Sequence, residues 1–364
     1  MSKYYRENRY SRNRANDMYD DYNELDNTPS TENCYGERYY NRRSSNSRYC
    51  EERYSKDKRC DSFRTRCGCE SRDEEPCTNK ESRNSKRYNC SEENQYKKEV
   101  HFWCGGAIQH IELLIGSNGL FGAGLSKEVK LYLDQLNNEF CYILELVQCY
   151  KSDSDKIVKR FLKVNSSFIK ILNKIMFEEY LGSTELFELV NHFMIEQIYA
   201  SRVFVDKKRA PQYKAKSCVL GPDFYEKNGL GETKLEIAYN TFYFWNIISA
   251  QQASILENII TYYNCNVPKK FYCAFHNFKR AYICLNKKSG EYFDTMSSIK
   301  LKSIGTDMLY ASMQFLNFLY SLTPIEIGTF LPKDTPEAFF DFKEHVVEEQ
   351  EYISQRLKRW IYSL

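Results

Sequence analysis

Two stretches of the chain, "NHFMIEQIYAS" at 191–201 and "EHVVEEQEYIS" at 344–354, agree at five positions in one register. His192 matches His345, Glu196 matches Glu349, Gln197 matches Gln350, Tyr199 matches Tyr352, and Ser201 matches Ser354. A second landmark recurs in the same order: Phe102-Trp103 returns as Phe244-Trp245. Trp245 follows Trp103 by 142 residues and His345 follows His192 by 153, so both ends of one segment are repeated. Recurrence at this scale marks a duplicated structural unit.

Within each copy the apolar spacing is helical. The first copy reads as helices at about 99–116, 126–150, 152–181 and 183–205, with Ser126 as an N-cap and a Ser/Thr-to-Glu capping pattern opening the fourth. The second reads as helices at 233–260, 268–285, 297–322 and 335–364, the last opening on Thr335-Pro336. Between them, 206–232 holds two prolines and three glycines and reads as the joint. The expected fold is all-α: a first four-helix unit over 99–205, a linker over 206–232 and a second four-helix unit over 233–364.

Residues 1–98 are of another kind. They contain one leucine and neither isoleucine nor valine, and aliphatic residues begin abruptly near Val100. Such a segment buries too little apolar surface to offset the entropy of ordering, so a disordered tail is expected. It carries 12 tyrosines and seven of the chain's 14 cysteines: Cys34, Cys50, Cys60, Cys67, Cys69, Cys77 and Cys90. The other seven cysteines sit in apolar helical patterns and read as small buried hydrophobes.

The chemistry of the repeat starts from helical geometry. Positions i and i+4 lie one above the other, so His192 and Glu196 can aim at one point, as can His345 and Glu349. His110, seven residues after Trp103, adds an imidazole; seven residues after Trp245 stands Gln252, a poor metal ligand. His110, His192 and Glu196 are thus metal candidates in the first half, suited to one transition-metal ion, with His345 and Glu349 as a depleted second set. The plainer reading of either pair is a packing contact or ion pair. His101 and His276 lack a carboxylate at helical spacing and read as structural or surface residues.

At these residues the chain resembles a known family. "FW" with "QH" further along, and the terminal His-x-x-x-Glu-x-x-Tyr pattern, are similar to the tandem helical-bundle proteins of spore-forming Firmicutes known as Bacillus metalloprotein-like, a family of unknown function. Its members carry "FW" then "EH", and "DH" then Arg-Glu-Ala, in each half. Here Gln109-His110 stands for "EH" and Gln251-Gln252 loses the histidine. Asn191-His192 and Glu344-His345 stand for "DH", and Ile195 and Glu348 replace the arginine. The resemblance, over about 99–360, implies a metal-capable bundle; the departures imply weakened or lost binding, most clearly in the second half.

For the tail, exposed cysteines and tyrosines favour crosslinking to neighbouring spore-layer proteins or to itself. Its 22 basic and 19 acidic residues cancel the electrostatic drive for nucleic acid, and the spacing of its cysteines, without histidine, does not fit a zinc knuckle. No apolar run approaches the 18 residues of a membrane span, and the opening "MSKYYRENRYSRN" has no apolar signal, so synthesis in the cytoplasm is expected. With the family resemblance, the expectation is a structural protein of the spore coat or exosporium made in the mother cell, or alternatively a metal-binding, redox-capable bundle. Neither a nucleophile triad nor a dinucleotide fingerprint is present, and "GLFGAGLS" follows a helix rather than a strand.

Overall fold

The computed structural model describes residues 90–116, 124–148, 153–178, 184–204, 233–263, 267–291, 297–322 and 335–364. Among these residues the chain forms eight helices and no strand: α1 (Cys90–Ile115), α2 (Lys127–Gln148), α3 (Ser154–Glu178), α4 (Thr184–Val203), α5 (Lys234–Tyr262), α6 (Lys269–Glu291), α7 (Ser298–Ser321) and α8 (Thr335–Ser363). They make two four-helix bundles in tandem. The first 89 residues, and with them Cys34 to Cys77, lie outside the described residues.

Local chemistry sets several helix starts. Ser126 Oγ accepts from the Val129 N–H at 3.3 Å, and Asp153 Oδ1 from the Asp155 N–H at 3.0 Å. Thr233 and Glu236 form a reciprocal capping box before α5, and Ser297 caps α7 through the Lys300 N–H. The helix α1 begins at Cys90, nine residues ahead of the start expected from aliphatic content. The added segment, "CSEENQYKK", is rich in Glu, Gln and Lys, which favour helix without needing to be buried.

In the first unit α1 packs on α2 and α3, and α2 on α3. Val100, Trp103, Cys104, Ala107, Ile111 and Leu114 repeat at three- and four-residue steps and are all buried. Phe140 of α2 meets Phe161 and Phe168 of α3 with ring centres 6.3 and 5.9 Å away. Every residue of α4 from Leu189 to Ser201 is at most 7% exposed, so even its polar side chains are interior. In the second unit α5 packs on α6 and α7, with Phe275 and Phe278 of α6 against Phe318 and Phe315 of α7. By contacts, α8 is shared: its residues up to His345 group with the first unit and those from Val346 with the second.

The duplication reaches the level of ring geometry. Phe102 meets Trp103 edge-on at 4.9 Å and 75°, and Phe244 meets Trp245 at 5.0 Å and 75°. Trp103 then tilts against Tyr199 at 5.7 Å, as Trp245 does against Tyr352 at 5.8 Å. Each bundle therefore repeats one contact between its first and last helices.

The expectation that the later cysteines are buried hydrophobes needs correction at three of the four described. Only Cys104 is buried; Cys141 is half-buried, Cys284 is exposed, and Cys273 is disulfide-bonded. A small, weakly polar side chain fits either face of an amphipathic helix, so its spacing does not assign it to the core.

One glycine is there for close approach. A methyl group at Gly305 of α7 would stand 3.0 Å from the Phe242 ring and 3.2 Å from Ile361, whereas at Gly106 of α1 it would meet nothing within 4 Å. Gly305→Ala is expected to destabilise the second bundle by about 1–3 kcal/mol, and Gly106→Ala to stabilise the first by up to about 1 kcal/mol. Urea unfolding of the two variants measures both signs.

Candidate metal centre

Helix α4 brings the first two donors into the interior by its own pitch. His192 and Glu196, four residues apart, are fully buried, with His192 Nε2 3.0 Å from Glu196 Oε1. The other carboxylate oxygen, Oε2, lies 2.9 Å from Nε2 of His110 on α1. The same nitrogen, His110 Nε2, stands 3.1 Å from Nε2 of His345 on α8. Three imidazoles thus surround one carboxylate with every group at most 1% exposed.

Aromatic rings hold these imidazoles in place. His110 stacks on Phe193 at 4.0 Å and 19°, and meets His345 edge-on at 4.6 Å. Phe342 lies 5.8 Å from His345 and 6.2 Å from His192. The remaining ring nitrogens are engaged by amides: His345 Nδ1 with Gln109 Oε1 at 2.8 Å, and His110 Nδ1 with Gln197 Nε2 at 3.1 Å. The Gln197 main chain is itself anchored, since Asn165 Nδ2 donates to its carbonyl at 2.7 Å and to Ser201 Oγ at 2.8 Å.

Burial dominates the electrostatics. It pushes His110 well below the ordinary imidazole range, with His345 and His192 adding in the same direction. It likewise drives His345 down to about 3, assisted by His192. Neutral imidazoles offer lone pairs, the form in which histidine ligates metals. The donor atoms of His110, Glu196 and His345 all lie within 4.8 Å of one another, and this buried group could hold a metal ion. Ligands at about 2.1 Å from a shared ion stand roughly 3.0 to 3.4 Å apart in octahedral or tetrahedral arrangements. The two edges at His110 Nε2, 2.9 and 3.1 Å, match the spacing in such a shell. Nitrogen donors with one carboxylate suit zinc or a redox-active first-row ion better than calcium or magnesium.

The second bundle is built alike but filled differently. Gln252 takes the position of His110 and its amide donates to Glu349. Gln350 donates to Gln252 Oε1 at 2.7 Å and to Ser249 Oγ at 2.9 Å, and Tyr282 donates to Gln350 Oε1 at 3.2 Å. Burial pushes the Tyr282 phenol upward, keeping it a donor. Glu349, 2% exposed, shares one face of α8 with His345 by their four-residue spacing. Of the residues read as candidates, His110, His192, Glu196 and His345 come together, and Glu349 accepts a hydrogen bond from the Gln252 amide. His101 and His276 are half-buried and stand apart from this group; burial lowers His276, helped by Lys279 and Arg280.

Sequence reading left three participants without a role. Gln109 entered only as a departure from "EH", and Gln197 only as a repeated letter. Nothing in its local sequence distinguishes Asn165. The signal for Gln109 was its adjacency to His110, but its contact is with His345, 236 positions away.

The chain was compared with protein-family models and with curated proteins, and neither search found a match. No described helix is long and apolar enough to cross a membrane.

Both His110 and His345 resist protonation when folded, whereas unfolded histidine titrates near its ordinary 6.5. The unfolded chain then binds more protons below that value, so folding stability should fall as pH drops through 6.5. For His345 alone the loss between pH 6.5 and 5 is about 2 kcal/mol. Urea unfolding of chelator-treated protein over this range should show it, and His345→Gln should remove about one proton from the linkage.

Proposed function

We propose that this chain is a metal-binding helical-bundle protein whose first bundle holds one transition-metal ion on His110, Glu196 and His345, with His192 against the same carboxylate. The observation that carries this is the approach of two buried, neutral imidazole nitrogens to 3.1 Å beside a buried carboxylate. Neutral imidazoles bring no positive charge to the carboxylate, whereas a divalent cation balances it. A bound ion of this class supplies Lewis acidity and, for iron, manganese or copper, electron exchange. The chain's own residues orient the donors and exclude water through Phe193 and Phe342. The resemblance to the Bacillus metalloprotein-like family supports the same reading.

Elemental analysis of the purified full chain tests it. About one metal ion per chain is expected, falling below roughly 0.1 in Glu196→Ala and in a His110→Ala, His345→Ala double variant. Wild-type protein that stays below about 0.1 after incubation with zinc, iron or manganese and gel filtration ends the proposal.

A second reading concerns where the bundle works. The Tyr/Cys-rich segment 1–98, the spore-former resemblance and the disulfide at Cys273 support a structural role in the spore coat or exosporium, after synthesis in the mother-cell cytoplasm. Disulfides persist in oxidising surroundings. The segment would crosslink the bundle to other layer proteins or to further copies. Full-length protein should leave spores only with reductant, and a chain lacking 1–89 should be extractable without it. Release of intact full-length protein by detergent alone contradicts this reading.

A further inference from the structure

Resting on the metal-binding reading above, we propose that the side-chain amides of Gln109 and Gln197 hold His345 and His110 in opposite tautomers, so that His345 meets a metal ready-made while His110 does so only after Gln197 turns over. The roles follow from what each atom can do. Gln109 Oε1 is a carbonyl oxygen and only accepts; at 2.8 Å it takes the Nδ1–H of His345, leaving Nε2 with a bare lone pair. Gln197 Nε2 is an amide nitrogen and only donates; at 3.1 Å it occupies the lone pair on His110 Nδ1. The hydrogen of neutral His110 then sits on Nε2. From there it donates to His345 Nε2 at 3.1 Å, with Glu196 Oε2 standing 2.9 Å away. Both nitrogens of each of these two rings thus meet a complementary atom.

One atom does not. Gln197 is fully buried, and its Oε1 has no hydrogen-bond partner. Buried carbonyl oxygens are ordinarily satisfied, and this one has a use in the alternative state. For His110 Nε2 to ligate a metal, the ring must carry its hydrogen on Nδ1 instead. The imidazole loses a proton at Nε2, gains one at Nδ1 and stays neutral, so the exchange releases no net proton. A half-turn of the Gln197 amide brings Oε1 to accept the new Nδ1–H. The main chain need not move, because Asn165 fixes the Gln197 carbonyl. Gln109 and Gln197 are positioning residues: neither need touch the ion, and each sets which nitrogen of its partner ring is free.

Full-length, chelator-treated protein with nitrogen-15 histidine tests this by long-range proton–nitrogen correlation, with His110→Gln and His345→Gln variants assigning the signals. Before metal, His345 should carry its hydrogen on Nδ1 and His110 on Nε2. Adding zinc should move the His110 hydrogen to Nδ1 and leave the His345 tautomer unchanged. His110 already carrying Nδ1–H in the metal-free protein overturns the proposal, as does a His345 with Nε2–H. Gln197→Glu, whose carboxylate only accepts, should show Nδ1–H on His110 before metal is added and bind zinc about tenfold more tightly. Gln109→Leu should leave His345 in mixed tautomers and weaken zinc binding about tenfold to a hundredfold. A Gln109→Leu protein that keeps a single His345 tautomer counts against the assignment. Wild-type protein that takes up no zinc ends the metal-binding reading, while its metal-free spectrum still decides the tautomers.

Discussion

Glu196 is a carboxylate held out of water in the middle of a helix whose every residue from Leu189 to Ser201 is interior. An isolated buried charge is costly by several kcal/mol at least, so whatever surrounds Glu196 must answer for it. His192 does so from within α4, one turn back, and His110 from α1. His345 then completes the ring of imidazoles from α8. Because burial keeps His110 and His345 neutral, they bring polar contacts and lone pairs but no positive charge. The same arrangement is what would let this buried group hold a cation.

The two bundles share their packing but not their interior chemistry. Trp103 on Tyr199 and Trp245 on Tyr352 superpose in distance and tilt, so the duplicated scaffold has been kept. At the position of His110, Gln252 serves a carboxylate by donating an amide hydrogen, and Gln350, Ser249 and Tyr282 extend the network. An amide can be satisfied without an ion, and a dense hydrogen-bonded network gives the second bundle a fixed interior of its own. The aromatic contacts repeat between the bundles while the polar interiors differ.

Much of this was legible beforehand. Helical periodicity, caps such as Ser126 and the recurrence of Phe-Trp and His-x-x-x-Glu led to eight helices in two sets of four, because those signals depend only on residues within a turn or two of each other. The same locality explains the shortfalls. The start of α1 at Cys90 was hidden by treating aliphatic content as the boundary, although Glu, Gln and Lys favour helix by propensity alone. Cysteine, at home on either face, could not be assigned by spacing, as Cys273 and Cys284 show.

The sequence by itself determined the helical class, the duplication, and which residue types each copy presents on its inner faces, since all of these follow from spacing along single helices. Only the tertiary structure decided the company those residues keep. His345 belongs to the second copy by sequence, yet its imidazole meets His110 across 235 positions, and the stretch of α8 that carries it groups with the first bundle. Gln109 likewise serves the distant His345 rather than the adjacent His110. Which nitrogen faces which oxygen depends on how helices far apart in sequence are brought side by side, and periodicity within one helix carries no record of that.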